Sequence, residues 1–212
     1  MALAIKNFPS GRVTNYKQFR KNIRSGDLLF CSGSGWFSKM IQNTTDSIWS
    51  HVAFVMRLDS IDRVMVLESV EPQGVRTVPL SKYLTDYDNK GNPYFGGVVL
   101  ARHEDFQQKA TEENLQKFGQ FAVNLFGYPY DRDEIGKIAA RIVASYLPFS
   151  RKDKKDLKAD REYICSEYVW ECYQSVGIPV PHDRRGFVSP ADFAKLKKVS
   201  LQAILRKKKN RE

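Results

Sequence analysis

The chain has 212 residues, of which 42% are hydrophobic and 27% charged, so it can bury a core and is not a disordered polymer. Its 34 Lys and Arg residues against 24 Asp and Glu residues give a formal net charge of +10, which suits an anionic partner such as nucleic acid, lipid or an acidic substrate. Three cysteines, a small and odd number, argue against a disulfide scaffold and favour a reducing compartment.

The sequence shows none of the patterns typical of signal peptides, transmembrane helices, metal sites or nucleic-acid-binding motifs. The apolar run in MALAIKNFPSGRV is too short for a signal peptide, and no stretch approaches the ~18 uninterrupted apolar residues of a transmembrane helix. The scattered histidines and cysteines lack metal-ligand spacing, and no nucleic-acid-binding motif accompanies the lysines. We therefore expect a cytoplasmic protein with no metal or other cofactor and no nucleic-acid partner.

The first half of the chain is predicted to form strands with short helices between them. Apolar, β-branched runs such as HVAFVM and VMVLESV are typical of strands. Strands are predicted at 27–32, 50–58, 64–70, 74–80 and 96–103, and short helices at 14–23, 36–42 and 81–87.

The second half is predicted to be helical, with helices at 111–127, 133–147, 165–176 and 189–196. Strands followed by helices predict an α+β fold in which helices pack on one face of an antiparallel sheet. No linker divides the chain, so we predict a single domain over 1–212. Its core spans about 23–196, the charged run at 150–161 is a surface excursion, and a basic, solvated tail occupies 197–212.

The sequence around Cys165 allows two interpretations, a structural cysteine or a nucleophile. It heads an apolar stripe at helical spacing, made of Cys165, Tyr168, Val169, Cys172, Tyr173 and Val176, and buried cysteines are common in such stripes. It also lies at the start of its helix, where free backbone N–H groups and the helix dipole favour a thiolate and can hold an oxyanion. Cys172 and Cys31 are interpreted as structural.

A nucleophilic cysteine needs a base, and the chain has three histidines. His103 and His182 are interpreted as surface residues. His51 begins an otherwise apolar strand and is either a satisfied core residue or a functional one. Glu68 interrupts the next strand, and a buried carboxylate requires a partner.

The loop between these strands decides whether His51 and Glu68 can meet. A four-residue loop at 59–62 pairs Leu58 with Arg63 and makes Glu68 a diagonal neighbour of His51 on the same face. A four-residue loop at 58–61 instead sets the two residues directly opposite. A loop of three or five residues puts them on opposite faces. The hypothesis that follows is attack by Cys165, proton transfer by His51 and orientation of the imidazole by Glu68.

Five segments in order resemble the YiiX/YebB-like group, the circularly permuted members of the NlpC-type, papain-like peptidase and amidase superfamily. They are SGDLLFCSGSGWFSKMIQNTTDSIWSHVAFV, VLESVEPQGVRTVPL, GYPYD, YICSEYVWECYQSVGI and FVSPADFA, and the resemblance runs through roughly residues 23–196. It implies a permuted papain-like fold, an antiparallel sheet or partial barrel with packed helices. It also implies a histidine that precedes the cysteine, which matches His51, Glu68 and Cys165 as base, orienting residue and nucleophile.

The same resemblance implies a cysteine hydrolase, a thiol peptidase or amidase, that cleaves an amide bond in a peptide or amino-acid conjugate through a thioester. By family analogy Tyr130 lines the substrate cleft, although a packed tyrosine after a helix end is the alternative. Two other functions stay open. One is a membrane-surface acyltransferase or lipid hydrolase that contacts anionic lipid weakly through the basic tail. The other is a non-enzymatic module that binds an anionic partner.

Overall fold

An antiparallel sheet forms the centre of the computed structural model, which describes residues 3–130, 164–181 and 188–207. The strands are β1 (Leu28–Ser32), β2 (His51–Leu58), β3 (Arg63–Val70), β4 (Gly74–Pro79), β5 (Gly97–His103) and β6 (Val199–Arg206). Their order across the sheet is β4-β3-β2-β1-β5-β6, and every neighbouring pair is antiparallel. The prediction of a mixed helix and antiparallel-sheet fold is confirmed.

The helices of the described part are mostly short. They are α1 (Tyr16–Phe19), α2 (Trp36–Thr45), α3 (Leu80–Thr85), α4 (Glu104–Lys109), α5 (Glu112–Asn124), α6 (Cys165–Gln174) and α7 (Pro190–Ala194). Thr111 caps α5 by accepting a hydrogen bond from the N–H of Asn114 at 3.2 Å, and Ser189 precedes α7 with Pro190 at the first helical position. The helix predicted at 133–147, the charged run at 150–161 and His182 lie outside the described residues.

Apolar side chains cover both faces of the sheet, since successive strand residues point to opposite sides. One face packs against the longer helices α5 and α6, with the buried ring of Phe54 4.7 Å from that of Phe118. The other face packs against Ile23, Leu80 and Tyr83 from the short helical segments. The expectation that helices cover one face is therefore incomplete, because these short segments carried too few periodic residues to reveal a second layer.

The hairpin between β2 and β3 has the loop at 59–62, and Leu58 pairs with Arg63. Asp62 ends the loop with a left-handed backbone (φ +47°), and its carboxylate accepts a hydrogen bond from the Arg57 guanidinium at 2.8 Å. The register therefore places His51 and Glu68 on the same face, as the four-residue loop at 59–62 predicts.

The C-terminal end of the described chain differs from its prediction. Val199–Arg206 is a strand that pairs with β5, so the expected solvated tail from residue 197 is wrong over these residues. Val199, Ala203 and Leu205 are buried, and the charge on both sides of this segment masked its strand pattern. Within the described residues no helix is both long and apolar enough to span a membrane.

His103 is a second correction. It ends β5 with 3% of its surface exposed, and its ring packs edge-on against Tyr173 with centroids 5.9 Å apart. The predicted surface position is wrong because α4, which the sequence pattern did not reveal, folds back directly after the strand. Burial lowers the pKa of His103, which keeps the imidazole neutral inside the core.

Candidate active site

Cys165 and His51 come from opposite sides of the sheet and lie near each other at one end of it. Cys165 is the first residue of α6, which packs on the sheet face that carries Phe54. His51 is the first residue of β2 and shares the strand alternation of Ala53, which belongs to the other face. Both residues lie at the ends of their elements, and the Cys165 side chain is near enough to His51 to raise the pKa of its imidazole.

Glu68 holds the other side of the His51 ring. Its Oε2 lies 3.0 Å from His51 Nε2, and the Glu68 side chain is fully buried while that of His51 is 13% exposed. An ionised carboxylate can only accept hydrogen bonds, so Nε2 carries the proton. Nδ1 is then the ring nitrogen that remains for Cys165. The ring is thereby fixed in orientation and tautomer.

Two further side chains satisfy the buried carboxylate, and neither was predicted from the sequence. Arg76 lies directly across the β3–β4 ladder from Glu68 and donates to Oε1 from Nε at 3.0 Å. The hydroxyl of the buried Tyr83 donates to Oε2. The tight turn between β3 and β4 could have predicted Arg76, since directly opposed residues share a face. Tyr83 is brought in by α3, and no sequence signal indicates that contact.

The electrostatic environment of His51 and Glu68 favours the charged forms of both side chains. Burial lowers the pKa of His51, but the hydrogen bonds and charges of Cys165 and Glu68 outweigh burial and raise that pKa to about 10. Burial raises the pKa of Glu68, but hydrogen bonding and charge from His51, with the Arg76 charge and the Tyr83 hydroxyl, bring that pKa below its ordinary value. Burial and the nearby Glu68 charge raise the pKa of Tyr83, so its phenol stays a donor.

The start of α6 presents Cys165 to this pair. Ile164 takes the extended conformation of an N-cap residue, and its N–H donates to the Glu167 carboxylate at 3.3 Å. This contact fixes the turn immediately before Cys165, and the first backbone N–H groups of α6 have no partner within the helix. Cys165 is 4% exposed. A thiol at this position lies at the positive end of α6 and near the His51 imidazole.

The other two cysteines have different surroundings. Cys31 and Cys172 are both fully buried, and burial raises the pKa of each thiol well above its ordinary value. Cys31 lies across the β1–β2 ladder from His51, whereas Cys172 lies two turns along α6 from its first residue. Both therefore stay neutral and act as small apolar residues.

Tyr130 is 8% exposed and follows a segment that is fixed to the start of β4. The N–H of Val75 donates to the Tyr128 carbonyl at 2.9 Å, and a side chain on Gly74 would collide with that carbonyl at 2.1 Å. Gly74 pairs with Val70 at the end of β3, so this segment lies toward the His51 end of the sheet. Among the residues that the structure describes, no group of His, Cys, Asp or Glu is arranged to hold a metal ion.

Comparison with known proteins gives the class to which this fold and site belong. A family model described as the permuted papain-like amidase enzymes, YaeF/YiiX, C92 family, matches residues 22–137, more than half of the chain. The chain belongs to this family and is a papain-like enzyme of the amidase and peptidase class. The matched range contains His51, Glu68 and Tyr130, and Cys165 lies beyond it.

One solved structure with the same fold is a crystal structure described as the metalloprotein yiiX from Escherichia coli O157:H7. It has a TM-score of 0.59 and 22% sequence identity, and the alignment covers 86% of this chain and 97% of that one. At this identity the likeness establishes the fold. Among curated protein sequences none matches this chain significantly.

Proposed function

We propose that this enzyme cleaves an amide bond of a peptide or amino-acid conjugate through a thioester on Cys165. The observation that carries the proposal is a helix-start cysteine near a histidine whose Nε2 is held 3.0 Å from a buried glutamate. Family membership supports the reaction class, since the matching model is of papain-like amidases.

In the proposed reaction the Cys165 sulfur attacks the amide carbon, and the carbonyl oxygen becomes an oxyanion. The backbone N–H of Cys165 is one donor to that oxyanion, because the helix start leaves this group without an intrahelical acceptor. The proton on His51 Nδ1 passes to the leaving amine as the C–N bond breaks. Water then attacks the thioester, His51 takes its proton, and the acid product and the Cys165 thiolate are released.

Glu68 and its partners act on this reaction through His51. The carboxylate keeps the Nε2 proton in place and stabilises the imidazolium, while Arg76 and Tyr83 keep the carboxylate ionised and oriented. We propose that Tyr130 lines the substrate cleft, on the strength of family analogy and of the segment fixed to β4. Substitution Tyr130→Ala should then raise KM more than it lowers kcat.

The proposal is tested by measuring cysteine alkylation and amide hydrolysis in the same set of variants. Iodoacetamide at neutral pH is expected to label Cys165 faster than the buried Cys31 and Cys172, which serve as internal controls in one mass-spectrometric digest. His51→Ala should remove this preference without unfolding the chain. Hydrolysis of a peptide-amide library should fall by about 10³-fold or more in Cys165→Ala. Equal labelling of the cysteines, or unchanged hydrolysis, would sink the proposal.

A further inference from the structure

A cleft with a basic lining lies on the protein away from the candidate catalytic pair, and we call it the basic cleft. Its volume of about 390 Å³ falls at the lower end of the range for small-molecule sites, ~300–1,000 Å³. Among the described residues three basic side chains and no acidic one line it, and the full lining is Phe19, Lys21, Asn22, Arg24, Arg102 and Gln202. A concave surface of this charge attracts anions.

The basic cleft is separated from His51 along the strands of the sheet. Its first residues come just before β1, which begins at Leu28, and Leu28 pairs with Ala101, the neighbour of Arg102. His51 instead pairs with Cys31 near the other end of β1. At ~3.3 Å per strand residue, Arg102 lies about 13 Å along the sheet from the level of His51. A small ligand in the basic cleft is therefore separate from the reacting group at Cys165.

Arg102 is held in place by a buried carboxylate. Asp27 is fully buried and accepts hydrogen bonds from Nε and Nη2 of Arg102, each at 2.7 Å. Nη2 also donates to the Asn22 carbonyl at 2.9 Å. The remaining terminal nitrogen, Nη1, has no hydrogen-bond partner among the described residues and is not a buried atom. It is therefore a fixed donor that a ligand in the cleft can use.

Lys21 and Arg24 add two positive charges that no ion pair within the described chain neutralises. Both side chains are exposed, and neither makes a hydrogen bond or salt bridge to a described residue. Their backbone is nevertheless fixed, because Arg57 Nη1 donates to the Arg20 carbonyl at 2.7 Å and the Arg24 N–H donates to Asp27 at 2.9 Å. Since the Asp27 carboxylate balances Arg102, the basic cleft keeps the charges of Lys21 and Arg24.

We propose that the basic cleft binds the phosphate monoester group of a small, soluble organic molecule. A phosphate monoester carries about two negative charges at neutral pH and has three acceptor oxygens. It therefore matches the two unpaired cations and the free Nη1 of Arg102, whereas a carboxylate would leave one cation without a counter-charge. Phe19 provides an apolar wall for the organic part of the ligand. This site is independent of the hydrolysis proposed for Cys165.

The experiment titrates the full-length protein with phenyl phosphate, inorganic phosphate and benzoate by calorimetry at neutral pH and constant ionic strength. Phenyl phosphate is expected to bind at least about tenfold more tightly than benzoate, which has the same ring and half the charge. It should also bind more tightly than inorganic phosphate, because its ring packs against Phe19. Binding should weaken below pH ~6, where the phosphate takes up a proton. Cys165→Ala should leave the affinity unchanged.

Two double variants with the same change of charge separate the basic cleft from general surface charge. Lys21→Gln/Arg24→Gln removes the unpaired cations, and the affinity for phenyl phosphate should fall at least about tenfold. Arg12→Gln/Lys117→Gln removes the same residue types from exposed positions outside the cleft and should keep the affinity within about twofold of the wild type. The single variants Lys21→Gln and Arg24→Gln replace the double variant if its circular dichroism is altered.

Four results would overturn the inference. Equal affinity for phenyl phosphate and benzoate, or binding of neither, excludes a phosphate site. Equal weakening in the two double variants shows that the effect comes from general surface charge. Loss of affinity in Cys165→Ala places the ligand at the candidate active site. Co-sedimentation with phosphatidic acid vesicles that Lys21→Gln/Arg24→Gln abolishes, in a protein that does not bind phenyl phosphate, assigns these cations to a lipid surface.

Discussion

Glu68 illustrates how a residue that is costly to bury can be retained in a core. A buried carboxylate without partners is strongly destabilising, and here His51, Arg76 and Tyr83 all donate to its two oxygens. The three donors come from different elements, so the carboxylate also fixes the position of His51 relative to the sheet. One charged side chain therefore contributes to both the packing and the electrostatics of the candidate site.

Glu68→Gln keeps the shape of this side chain but replaces one acceptor oxygen with a donor. The new NH₂ group would face donors such as His51 Nε2 or the Tyr83 hydroxyl, so the ring loses its fixed tautomer. We expect kcat/KM to fall by about 10²–10⁴-fold and the pKa of His51 to fall as well. Steady-state kinetics and an NMR titration of the imidazole check these two outcomes. Activity within threefold of the wild type would contradict the orienting role of Glu68.

The pH dependence of stability gives a second prediction at this scale. The pKa of His51 in the folded protein, about 10, is above its ordinary value of 6.5, so the folded state holds this proton more tightly than the unfolded chain. The stabilisation is therefore complete below pH ~6.5 and is lost as the pH rises toward 10. We expect the Tm advantage of the wild type over His51→Gln to shrink between pH 6.5 and 10. Thermal unfolding of both proteins in matched buffers measures this difference in Tm. A difference that stays constant with pH would argue against a charged His51.

At the scale of elements, α6 places two chemically identical side chains in different surroundings. Cys165 and Cys172 lie on one apolar stripe, yet only the first stands where backbone N–H groups lack intrahelical partners. The helix end, and not the residue type, distinguishes them. The length of the β2–β3 loop also determines the surroundings of a side chain, because it decides whether His51 and Glu68 lie on the same face of the sheet.

Cys172→Ala provides the contrast to Cys165→Ala. It removes one buried sulfur from the stripe and should reduce the free energy of unfolding by about 1 kcal/mol, which is a Tm decrease of ~2–4 °C. Alkylation of Cys165 and amide hydrolysis should stay within twofold of the wild type. Thermal unfolding and the labelling assay check both points. A large loss of hydrolysis at unchanged Tm would reveal a catalytic part for Cys172 and contradict its structural interpretation.

At the scale of the whole molecule, the sheet brings together residues that are far apart in the chain. Residues 51 and 68 are in contact, and residue 165 lies near them, because β2, β3 and α6 converge at one end of the fold. The edge strand β6 comes from the last part of the chain and covers β5, which would otherwise expose its backbone groups. The C-terminal segment is thus part of the architecture.

Deletion of residues 199–212 is therefore expected to prevent stable folding. It removes the buried Val199, Ile204 and Leu205, each contributing about 1.5–3 kcal/mol, from a protein whose total stability is of the order of 5–15 kcal/mol. Deletion of 208–212 alone removes terminal charge but keeps the strand, and its Tm should lie much closer to that of the full chain. Soluble yield and thermal unfolding compare the two truncations. A Tm for the longer deletion within a few degrees of the full chain would show that β6 is dispensable.

Local patterns were sufficient for most of the fold in the described residues. Apolar, β-branched runs predicted β1 to β5, helical spacing predicted α5, and the loop at 59–62 was one of the alternatives that place His51 and Glu68 on the same face. These features depend on neighbours within about ten residues, so the sequence carries them directly. The pattern failed for α4 and β6, because α4 is short and β6 lies between charged segments.

The sequence by itself determined the residue types, their order along the chain and the α+β class, because composition and periodicity are local properties. It left open whether Cys165 was nucleophilic or structural. Only the tertiary structure brought this thiol to His51, supplied Arg76 and Tyr83 as partners of Glu68, and buried His103. These contacts join separate elements, and their positions are set by the packing of the whole chain, which no local pattern encodes.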